Sequence, residues 1–480
     1  MRARLSWMIT GSVVALLAAA VVMPLAVPAA AAALAANIDT STMHGNEAED
    51  AIAVNPTNPK NIVTMATLPD VVSGLFEGVS FDGGKTWTRR VIGANEEFAD
   101  ICCDQQLAWD HFGNLWMTYL DLNSGDVFVA LSTDGGLTFR KVADIVPTTP
   151  PGSAAINDAQ ARRLNSPRAP GASADQPSIS AGPGSVWVSY TSFPSVVVQA
   201  FGASVAGLGQ FGTFTAPQSV PTNAGVGDYG DTAVGPGGQV LVTYQDQTGG
   251  QGGTHIYTAL DPDGLGPAGF NSPLLLARSY VGGFDYIPAQ PNRSVDAEAN
   301  LAWDRSGGLH AGRVYAIWTA ENGNETNDMD IMFQYSDDNG TNWSPAVRLN
   351  DDNTTNSQFN PAIALDQVTG YLGVSWYDAR NDLGAGGRGD TDGVPNDDVQ
   401  IWATDSRDGG ATFAPNFQAS QGTSNANDAG SFFDYGDYTH AAFQSHTFYP
   451  AWSDNSNSTG DNPDGTLHQL DLYTTPVTVR

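Results

Sequence analysis

Carboxylates at a repeated position are the strongest candidates for chemistry in this sequence. Seven apolar segments have the pattern of a short strand, and a polar residue precedes each of them at a fixed distance; it is acidic in six of the seven segments. If these strands converge, the acids must be ion-paired, protonated or bound to a cation, because charge in partly desolvated space is costly. The seven residues are Glu49, Asp104, Asp175, Asp228, Glu298, Asn360 and Asp437.

The ligand type at these positions favours one class of cation. Oxygen donors without histidine or thiolate suit Ca²⁺ better than transition metals. The sequence therefore predicts a Ca²⁺ site that includes Asp104, Asp228 and Glu298, with a ligand docking beside this set of acidic residues. An alternative stays open at this point, in which the acids hydrogen-bond the backbones of neighbouring repeats.

Further candidates lie in the longer loops. The segments 390–398 and 461–465 combine Asp, Asn and Gly as calcium loops do, without the full EF-hand spacing. Tyr435 stands between two aspartates, and a tyrosine beside carboxylates suits stacking on a sugar. Arg380 follows a predicted strand and is the candidate contact for an anion. We expect Arg380 and Tyr435 to flank a ligand.

A second pattern, Ser-x-Asp-x-Gly-x-Thr-aromatic, is called the Asp box here. It occurs at 80–87, 132–139, 336–343 and 406–413, with Asn replacing Thr in the third copy. In a hairpin turn the Asp accepts hydrogen bonds from backbone N–H groups and the Gly supplies a positive φ. The aromatic residue is expected to return to an apolar layer. The aspartates of this pattern are therefore predicted to be structural and not catalytic: Asp82, Asp134, Asp338 and Asp408.

The elements that must position these residues are short strands. Alternation such as Val186-Trp-Val-Ser-Tyr190 indicates a strand, and no long helical pattern occurs. Seven repeated units of short strands predict an all-β propeller with seven blades. The last unit supplies only about three strands after Asp437, so we expect the segment 36–44 to complete its sheet.

Long insertions fall at one end of this propeller. In a four-stranded blade the Asp-box turn joins the third and fourth strands, and the first turn lies at the same end. The insertions map to the opposite end, which we call the loop face, and long loops on a rigid scaffold often carry function. These insertions are 143–173, 276–295, 381–398 and 455–466.

Composition limits the partners and the compartment. Residues 1–35 have a basic start, an apolar stretch and a small-x-small end, which predicts a signal peptide followed by one domain at 36–480 and a secreted protein. A net charge of −31 disfavours nucleic acid and anionic membranes as partners. We expect a monomer that binds a glycan or an extracellular protein. Cys102 and Cys103 are adjacent, and either a vicinal disulfide or two buried thiols fits an exported chain.

The four Asp boxes and the export signal resemble those of the sialidase superfamily, the BNR-repeat proteins, and in particular exported bacterial sialidase-like proteins. The resemblance implies a propeller, with six blades as the alternative count, and a glycoside hydrolase with an arginine triad, a Tyr–Glu nucleophile pair and an Asp acid/base. This sequence lacks the Arg-Ile-Pro motif of that family, and only Arg293, Arg313 and Arg380 stand at plausible blade positions. Two functions stay open: a sialidase-like glycoside hydrolase and a non-catalytic module that binds a glycan or a protein.

Overall fold

The computed structural model describes most of the chain beyond the predicted signal peptide. The predicted signal peptide at 1–35 and most of the predicted insertion at 143–173 lie outside the described residues. Within the described residues no helix is long and apolar enough to cross a membrane. The described ranges are 36–71, 73–93, 101–147, 173–223, 225–246 and 250–480.

The described chain forms seven antiparallel sheets, which confirms the all-β propeller and the count of seven blades. The sheets are numbered here in chain order. Blades 1 to 4 contain the strands Ala48–Val54, Ile62–Thr67, Leu75–Ser80 and Thr88–Ile92; Ile101–Trp109, Leu115–Asp121, Val127–Ser132 and Arg140–Ile145; Ser173–Gly182, Ser185–Phe193, Val197–Gly207, Gln210–Phe211 and Gln218–Ser219; and Thr232–Val234, Val240–Gln245, Thr254–Asp261 and Leu274–Ser279.

Blades 5 to 7 follow the same plan, with one hairpin inserted before blade 5 and one 3₁₀ turn before blade 7. The hairpin is Asp285–Ile287 with Gln290–Val295, and the 3₁₀ turn is Ala426–Ala429. Blades 5 to 7 contain the strands Asn300–Trp303, Val314–Glu321, Met329–Ser336 and Val347–Arg348; Gln358–Leu365, Leu372–Asp378, Asp398–Ser406, Phe417–Gln418 and Ser424–Asn425; and Ala441–Gln444, Thr447–Asp454, Asp471–Thr474 and Val477–Thr478.

The N-terminal segment closes the ring. Strand Ile38–Asp39 pairs antiparallel with Asp471–Thr474, so the last sheet of the propeller contains both ends of the described chain. This confirms the predicted closure by the segment 36–44. Thr40 extends the junction, because its backbone N–H donates to the carbonyl of Leu472 at 2.8 Å.

Aromatic residues on the second strand of each blade build the core. Blades pack face to face, so the central strands are buried on both sides and read as nearly continuous apolar runs. Burying a large side chain here stabilises the fold by roughly 2–3 kcal/mol relative to exposure. One aromatic residue recurs at the same position of this strand in blades 2 to 7 and is almost completely buried: Tyr119, Tyr190, Tyr244, Trp318, Trp376 and Trp452.

The Asp boxes form turns with the predicted bonding. In the first copy Asp82 Oδ1 accepts from the Ser80 hydroxyl at 2.9 Å and from the Thr86 backbone N–H at 2.9 Å. The Thr86 hydroxyl donates to Asp82 Oδ2 at 2.7 Å. Asp134, Asp338 and Asp408 have the corresponding partners, with Asn in place of Thr in the third copy, which is the bonding that a structural role predicts.

The box aromatics are less buried than the sequence predicted. Trp87 and Trp343 are only half-buried, and the Trp87 indole N–H donates to the carbonyl of Gly84 within its own turn. The rings do return to the apolar layer as expected, but burial is partial because the turn lies at the rim of the blade. There the ring covers the edge of the apolar layer and leaves one side in solvent.

The two ends of the propeller are assigned by contacts between blades. Asn61, in the first turn of blade 1, donates from Nδ2 to the carbonyl of Gly135 in the Asp box of blade 2 at 2.9 Å. First turns and Asp boxes therefore share one end, as predicted. The insertions 276–295, 381–398 and 455–466 join strands at the opposite end, the loop face.

Candidate functional site

The inner strands begin with a bulge that turns one residue toward the propeller axis. These residues adopt left-handed φ values between 42° and 56°, which non-glycine residues rarely do, so each position is held by its surroundings. They occur in blades 1, 2, 3, 4 and 6: Glu49, Asp104, Gln176, Tyr229 and Asn360.

The predicted register is correct for three of these blades and one residue early for two. Glu49, Asp104 and Asn360 stand at the bulge, whereas Gln176 and Tyr229 occupy it in blades 3 and 4. The predicted residues Asp175 and Asp228 directly precede them. Five residues separate the bulge from the strand end in blades 1, 2, 4 and 6, so the shift in blade 4 comes from a misplaced strand end and not from a different spacing.

Despite this shift, the predicted acids converge. The charges of seven carboxyl groups influence one another around the axis, and we call this set, together with Arg293, the axial cluster. Asp296 was not predicted to belong to it; its only sequence signal is that it stands two residues before Glu298. The seven carboxyl groups are those of Glu49, Asp104, Asp175, Asp228, Asp296, Glu298 and Asp437.

One arginine enters the cluster from the inserted hairpin at 285–295, which we call the axial strap. Arg293 Nη2 lies 3.1 Å from Glu49 Oε1 and also forms an ion pair with Asp437. The strap is fastened by Asp434, whose Oδ2 accepts from the backbone N–H groups of Asn292 at 2.8 Å and Arg293 at 2.9 Å. The guanidinium carbon also lies 4.9 Å from the centre of the Phe433 ring.

Burial controls the protonation of the cluster. It raises the pKa of Glu49 to about 7, although Arg293 opposes the rise. Burial together with neighbouring carboxylates holds the pKa values of Asp104, Asp296 and Glu298 well above their usual range. These shifts favour the neutral acid forms, which lowers the repulsion that seven charges would create.

Some acids also join neighbouring blades, as the alternative interpretation proposed. Asp104 Oδ2 accepts from the backbone N–H of Gln176 at 3.0 Å, which links blades 2 and 3. Asp231 Oδ2 does the same with Leu301 at 2.7 Å, between blades 4 and 5. The sequence analysis did not select Asp231, so the junction role is wider than predicted.

A small polar cavity, partly open to solvent, lies beside the cluster. Two buried atoms of its lining, Glu298 Oε2 and Tyr438 Oη, have no hydrogen-bond partner among the described residues. Buried polar atoms are nearly always satisfied, so these two point to a missing partner. The cavity is lined by Asp296, Glu298, Asn300, Thr319, Asn360, Pro361, Asp437 and Tyr438.

Of the predicted ligand-binding residues, only Glu298 and Asp437 line this cavity; those that do not are Asp104, Asp175, Asp228, Arg380 and Tyr435. Tyr435 is completely buried and stacks on Tyr377 with a centroid distance of 4.5 Å, so a place beside a ligand does not fit it. Arg380 is 9% exposed and bonds to Asp378 and Asp351 at 2.7 and 2.8 Å, so its charge is already neutralised. Sequence alone did not show that both side chains serve packing between strands.

Exposed aromatic rings on the loop face were not predicted. Tyr286 of the axial strap and Phe432 of the segment before blade 7 are each 48% exposed. Tyr286 lies two residues before Pro288, whose carbonyl accepts from Asn427 in the segment before blade 7. Phe432 lies two residues before Asp434, which accepts from the backbone N–H of Asn292 in the strap. Flat rings in such positions can stack on the apolar face of a sugar.

Carboxylate sets with the spacing of metal ligands lie away from the axis. In the chain as described, Asp104, Asp228 and Glu298 do not form a set with oxygens near enough to share one ion; the sets that do come from the loop 382–398. The second predicted calcium segment, 461–465, instead contributes Asp464, whose carboxylate accepts from the Gly45 backbone N–H at 3.0 Å. Calcium at the axial cluster stays a prediction.

The adjacent cysteines form a disulfide at the start of the inner strand of blade 2. Cys102 and Cys103 are bonded to each other, which selects the vicinal disulfide from the two alternatives. The bonded pair directly precedes Asp104 of the axial cluster. It therefore belongs to the same strand bulge and contributes no free thiol.

Comparison with known proteins identifies the repeat. Residues 334–345, which contain the third box, match the BNR/Asp-box repeat family. A search of curated protein sequences finds no match.

Solved structures with a similar fold include an α-L-arabinanase of Penicillium chrysogenum complexed with arabinobiose (12% identity, TM-score 0.42, covering 76% of this chain and 96% of that one). A Hadza microbial sialidase (14%, 0.43, 86% and 74%) and a lectin from Burkholderia pseudomallei (12%, 0.44, 77% and 84%) are also similar. These distant likenesses do not decide an activity. With its four bonded Asp boxes and seven closed sheets, the chain is a seven-bladed β-propeller that carries BNR/Asp-box repeats.

Proposed function

We propose that the protein binds a neutral glycan on the loop face, at the cavity beside the axial cluster. The observation that carries the proposal is the lining of this cavity by carboxyl, amide and hydroxyl groups, two of which lack a protein partner. Sugar hydroxyls both donate and accept, so they can satisfy Glu298 Oε2 and Tyr438 Oη together. From the signal-peptide pattern of residues 1–35, we also propose that this binding takes place outside the cell.

Charge argues for a neutral sugar and against an acidic one. Arg293 is the only cation that we place in the axial cluster within the described chain, and it is already paired with Glu49 and Asp437. Arg380 and Arg313 bond to aspartates elsewhere, so an arginine triad for a sugar carboxylate is not assembled. Bringing a further carboxylate to seven acids would add like-charge repulsion.

Isothermal titration of the full chain with neutral oligosaccharides and with sialyllactose tests this proposal. We expect binding of a neutral member of the panel and none of sialyllactose. Glu298→Gln changes one of the two partnerless groups and should weaken binding by about tenfold or more. Asp337→Asn, on the Asp-box end, is the matched control and should bind as the wild type does.

Binding of sialyllactose in preference to every neutral sugar would contradict the proposal. Equal affinity of Glu298→Gln and the wild type would show that the ligand docks elsewhere. Both variants replace one carboxyl group by an amide, so a general effect of that replacement would appear in both.

A specific observation favours a second candidate, a glycoside hydrolase acting on a neutral sugar. Glu298 and Asp437 line the same cavity, and burial raises the pKa of Glu298 well above its usual range, as a general acid requires. Burial also raises the pKa of Asp437, but Arg293 opposes this rise and favours the ionised form. One protonated and one ionised carboxyl group is the pairing that glycoside hydrolysis uses.

Release of nitrophenol from a panel of nitrophenyl glycosides separates the two candidates. A hydrolase should turn over at least one neutral glycoside, and Glu298→Gln should lower its kcat by about a hundredfold or more. A chain that binds a sugar without hydrolysing any member of the panel is a binding module.

A further inference from the structure

We infer that the loop 382–398, which joins the second and third strands of blade 6, is a Ca²⁺ site separate from the axial cluster. We call this segment the blade 6 loop. The inference rests on its own carboxylates and holds whether or not the axial cavity binds a glycan. The sequence analysis named the segment 390–398 as a calcium-loop candidate but assigned its Ca²⁺ site to Asp104, Asp228 and Glu298.

Two overlapping sets of carboxylates have the spacing of ligands to one ion. Asp382, Asp390 and Asp398 each place an oxygen within 4.8 Å of the other two. Asp392, Asp397 and Asp398 form the second set by the same measure. Asp398 belongs to both sets and is completely buried at the start of its strand, so it fixes the position of the site relative to the blade.

A partnerless oxygen inside the loop points to a missing cation. Asp397 is 4% exposed, and its Oδ1 has no hydrogen-bond partner among the described residues. Its other oxygen accepts from Asn427 Nδ2 at 3.3 Å. A buried carboxylate oxygen that faces other carboxylates is costly unless a cation or a proton lies between them.

The protein supplies no such cation from its own described side chains. Within the described ranges, no lysine, arginine or histidine forms an ion pair with the acids of the blade 6 loop. Arg388 lies in the loop itself, but it donates to the side chain of Gln418 at 2.8 Å and is exposed. Arg380, just before the loop, is committed to Asp378 and Asp351.

The chemistry of the loop selects calcium. All candidate ligands are oxygens, which excludes the preference of zinc and copper for nitrogen and sulfur. Gly389 and Gly393 adopt positive φ values of 90° and 86°, so the chain can bend around an ion and offer backbone carbonyls. Ca²⁺ accepts six to eight such oxygens in irregular geometry, whereas Mg²⁺ requires a near-ideal octahedron.

The site connects with the axial strap through one side chain. Asn427 Nδ2 contacts Asp397 Oδ2 and also the carbonyl of Pro288 in the strap at 3.5 Å. An ion in the blade 6 loop would therefore hold Asp397 and, through Asn427, the edge of the strap. We expect calcium to order this side of the loop face without itself contacting the cavity.

Calcium titration of the chelator-treated full chain tests the site. The wild type should bind Ca²⁺, and the double variant Asp397→Asn/Asp398→Asn should bind it at least about tenfold more weakly. The matched control Asp104→Asn/Asp228→Asn removes the same charge from the axial cluster and should retain the wild-type affinity. If the wild type binds no Ca²⁺, or if only the axial variant loses it, the inference is wrong.

Proteolysis of the wild type gives a second measurement that does not depend on a variant folding. Trypsin can cut after the exposed Arg388, inside the loop. Calcium should slow this cut by about fivefold or more, since the bound loop opens less often, and equimolar Mg²⁺ should not. An unchanged rate of this cut in Ca²⁺ would overturn the inference, and neither measurement involves a glycan.

Discussion

Aspartates and glutamates at the two ends of the propeller are held in opposite ways. At the Asp-box end, the Thr86 hydroxyl and backbone N–H lower the pKa of the exposed Asp82 to about 2. At the loop face, burial raises the pKa of Glu49 to about 7 against the opposing charge of Arg293. The Asp82 carboxylate accepts hydrogen bonds from donors within the same five-residue stretch of chain. The Glu49 carboxylate instead pairs with Arg293, which is 244 residues away in the sequence.

This comparison teaches that the residue type does not decide the role of an acid in this fold. A carboxylate whose donors are local is a permanent anion that shapes a turn. A carboxyl group whose partners come from other parts of the chain, such as Glu49, has a raised pKa, and its protonation depends on the groups that are placed beside it. A site for chemistry is therefore expected at the loop face, where the acids are not already saturated by their own turn.

Removal of Arg293 should produce the largest difference between the two ends. Arg293→Met leaves the buried Glu49 and Asp437 without their cation, and breaking a buried pair in this way costs about 3–5 kcal/mol of unfolding free energy. Arg407→Met, in which the exposed arginine beside an Asp box loses its pairing with the largely buried Asp405, should cost less, about 1 kcal/mol. Urea unfolding monitored by tryptophan fluorescence measures both values.

Equal losses in the two arginine variants would contradict the comparison. Such a result would mean that the axial carboxylates take up protons at no cost once the cation is gone. Repeating the unfolding at pH 5 separates the cases, because protonation of Glu49 should then reduce the loss in Arg293→Met.

The fold and the Asp boxes could be predicted from the sequence because their signals are local. Ser80, Asp82 and Thr86 bond to one another within one turn, and four copies repeat the spacing. The recurring aromatic of the second strand marks blades 2 to 7, and the strand and turn pattern of residues 51–65 adds the first blade to give the count of seven.

The site could be predicted only in part, because its partners are distant in sequence. The acids recur at one position of the repeat, and this pattern predicted most of the axial cluster. Arg293 reaches the cluster from an inserted hairpin, and no spacing in the sequence predicts where that hairpin lies. Tyr435 and Arg380 have residue types that suit a ligand, and only their packing against Tyr377 and Asp378 shows that they are already used.

The buried carboxyl group of Asp50, next to Glu49, should make the unfolding free energy depend on pH, and this effect should be smaller than the loss in Arg293→Met. Burial raises the pKa of Asp50 to about 7, so the folded state holds a proton that the unfolded state releases at lower pH. This contribution is fully present below about pH 4 and is lost as the pH rises through about 7. Burial lowers the pKa of the neighbouring His440 to about 4, which gives a contribution of the opposite sign between about pH 4 and pH 6.5.

The comparison of Asp50→Asn with the wild type isolates the carboxylate from His440. Asn resembles the protonated acid and can still accept from Thr439 and His440. The difference in unfolding free energy between the two proteins should shift by about 2–3 kcal/mol in favour of the variant between pH 5 and pH 8. A constant difference, measured in chelator, would show that Asp50 is ionised throughout.

Truncation of a box aromatic should have a more modest effect. Trp87 is half-buried, so Trp87→Ala should cost about 1–3 kcal/mol, below the 3–5 kcal/mol of a fully buried ring. Lys85→Ala in the same turn is exposed and should stay within about 0.5 kcal/mol of the wild type. Unfolding in urea checks both variants, and a glycan affinity that falls in Trp87→Ala while its fold persists would place the ligand at the wrong end.

The smallest effect should follow from repairing the one box that departs from the pattern. Asn342 stands where the other copies have Thr, yet its Nδ2 donates to Asp338 Oδ2 at 2.6 Å and its backbone N–H donates to Oδ1 at 2.8 Å. The amide therefore replaces the hydroxyl without losing a bond, and Asn342→Thr should change the unfolding free energy by no more than about 0.5 kcal/mol. Asn342→Ala, which removes the side-chain donor, should cost about 1 kcal/mol and is the control that shows the assay can resolve the difference. A gain well above 1 kcal/mol in Asn342→Thr would mean that the turn depends on the hydroxyl itself, and the Asp-box end would then be less fully satisfied by its own residues than its bonding indicates.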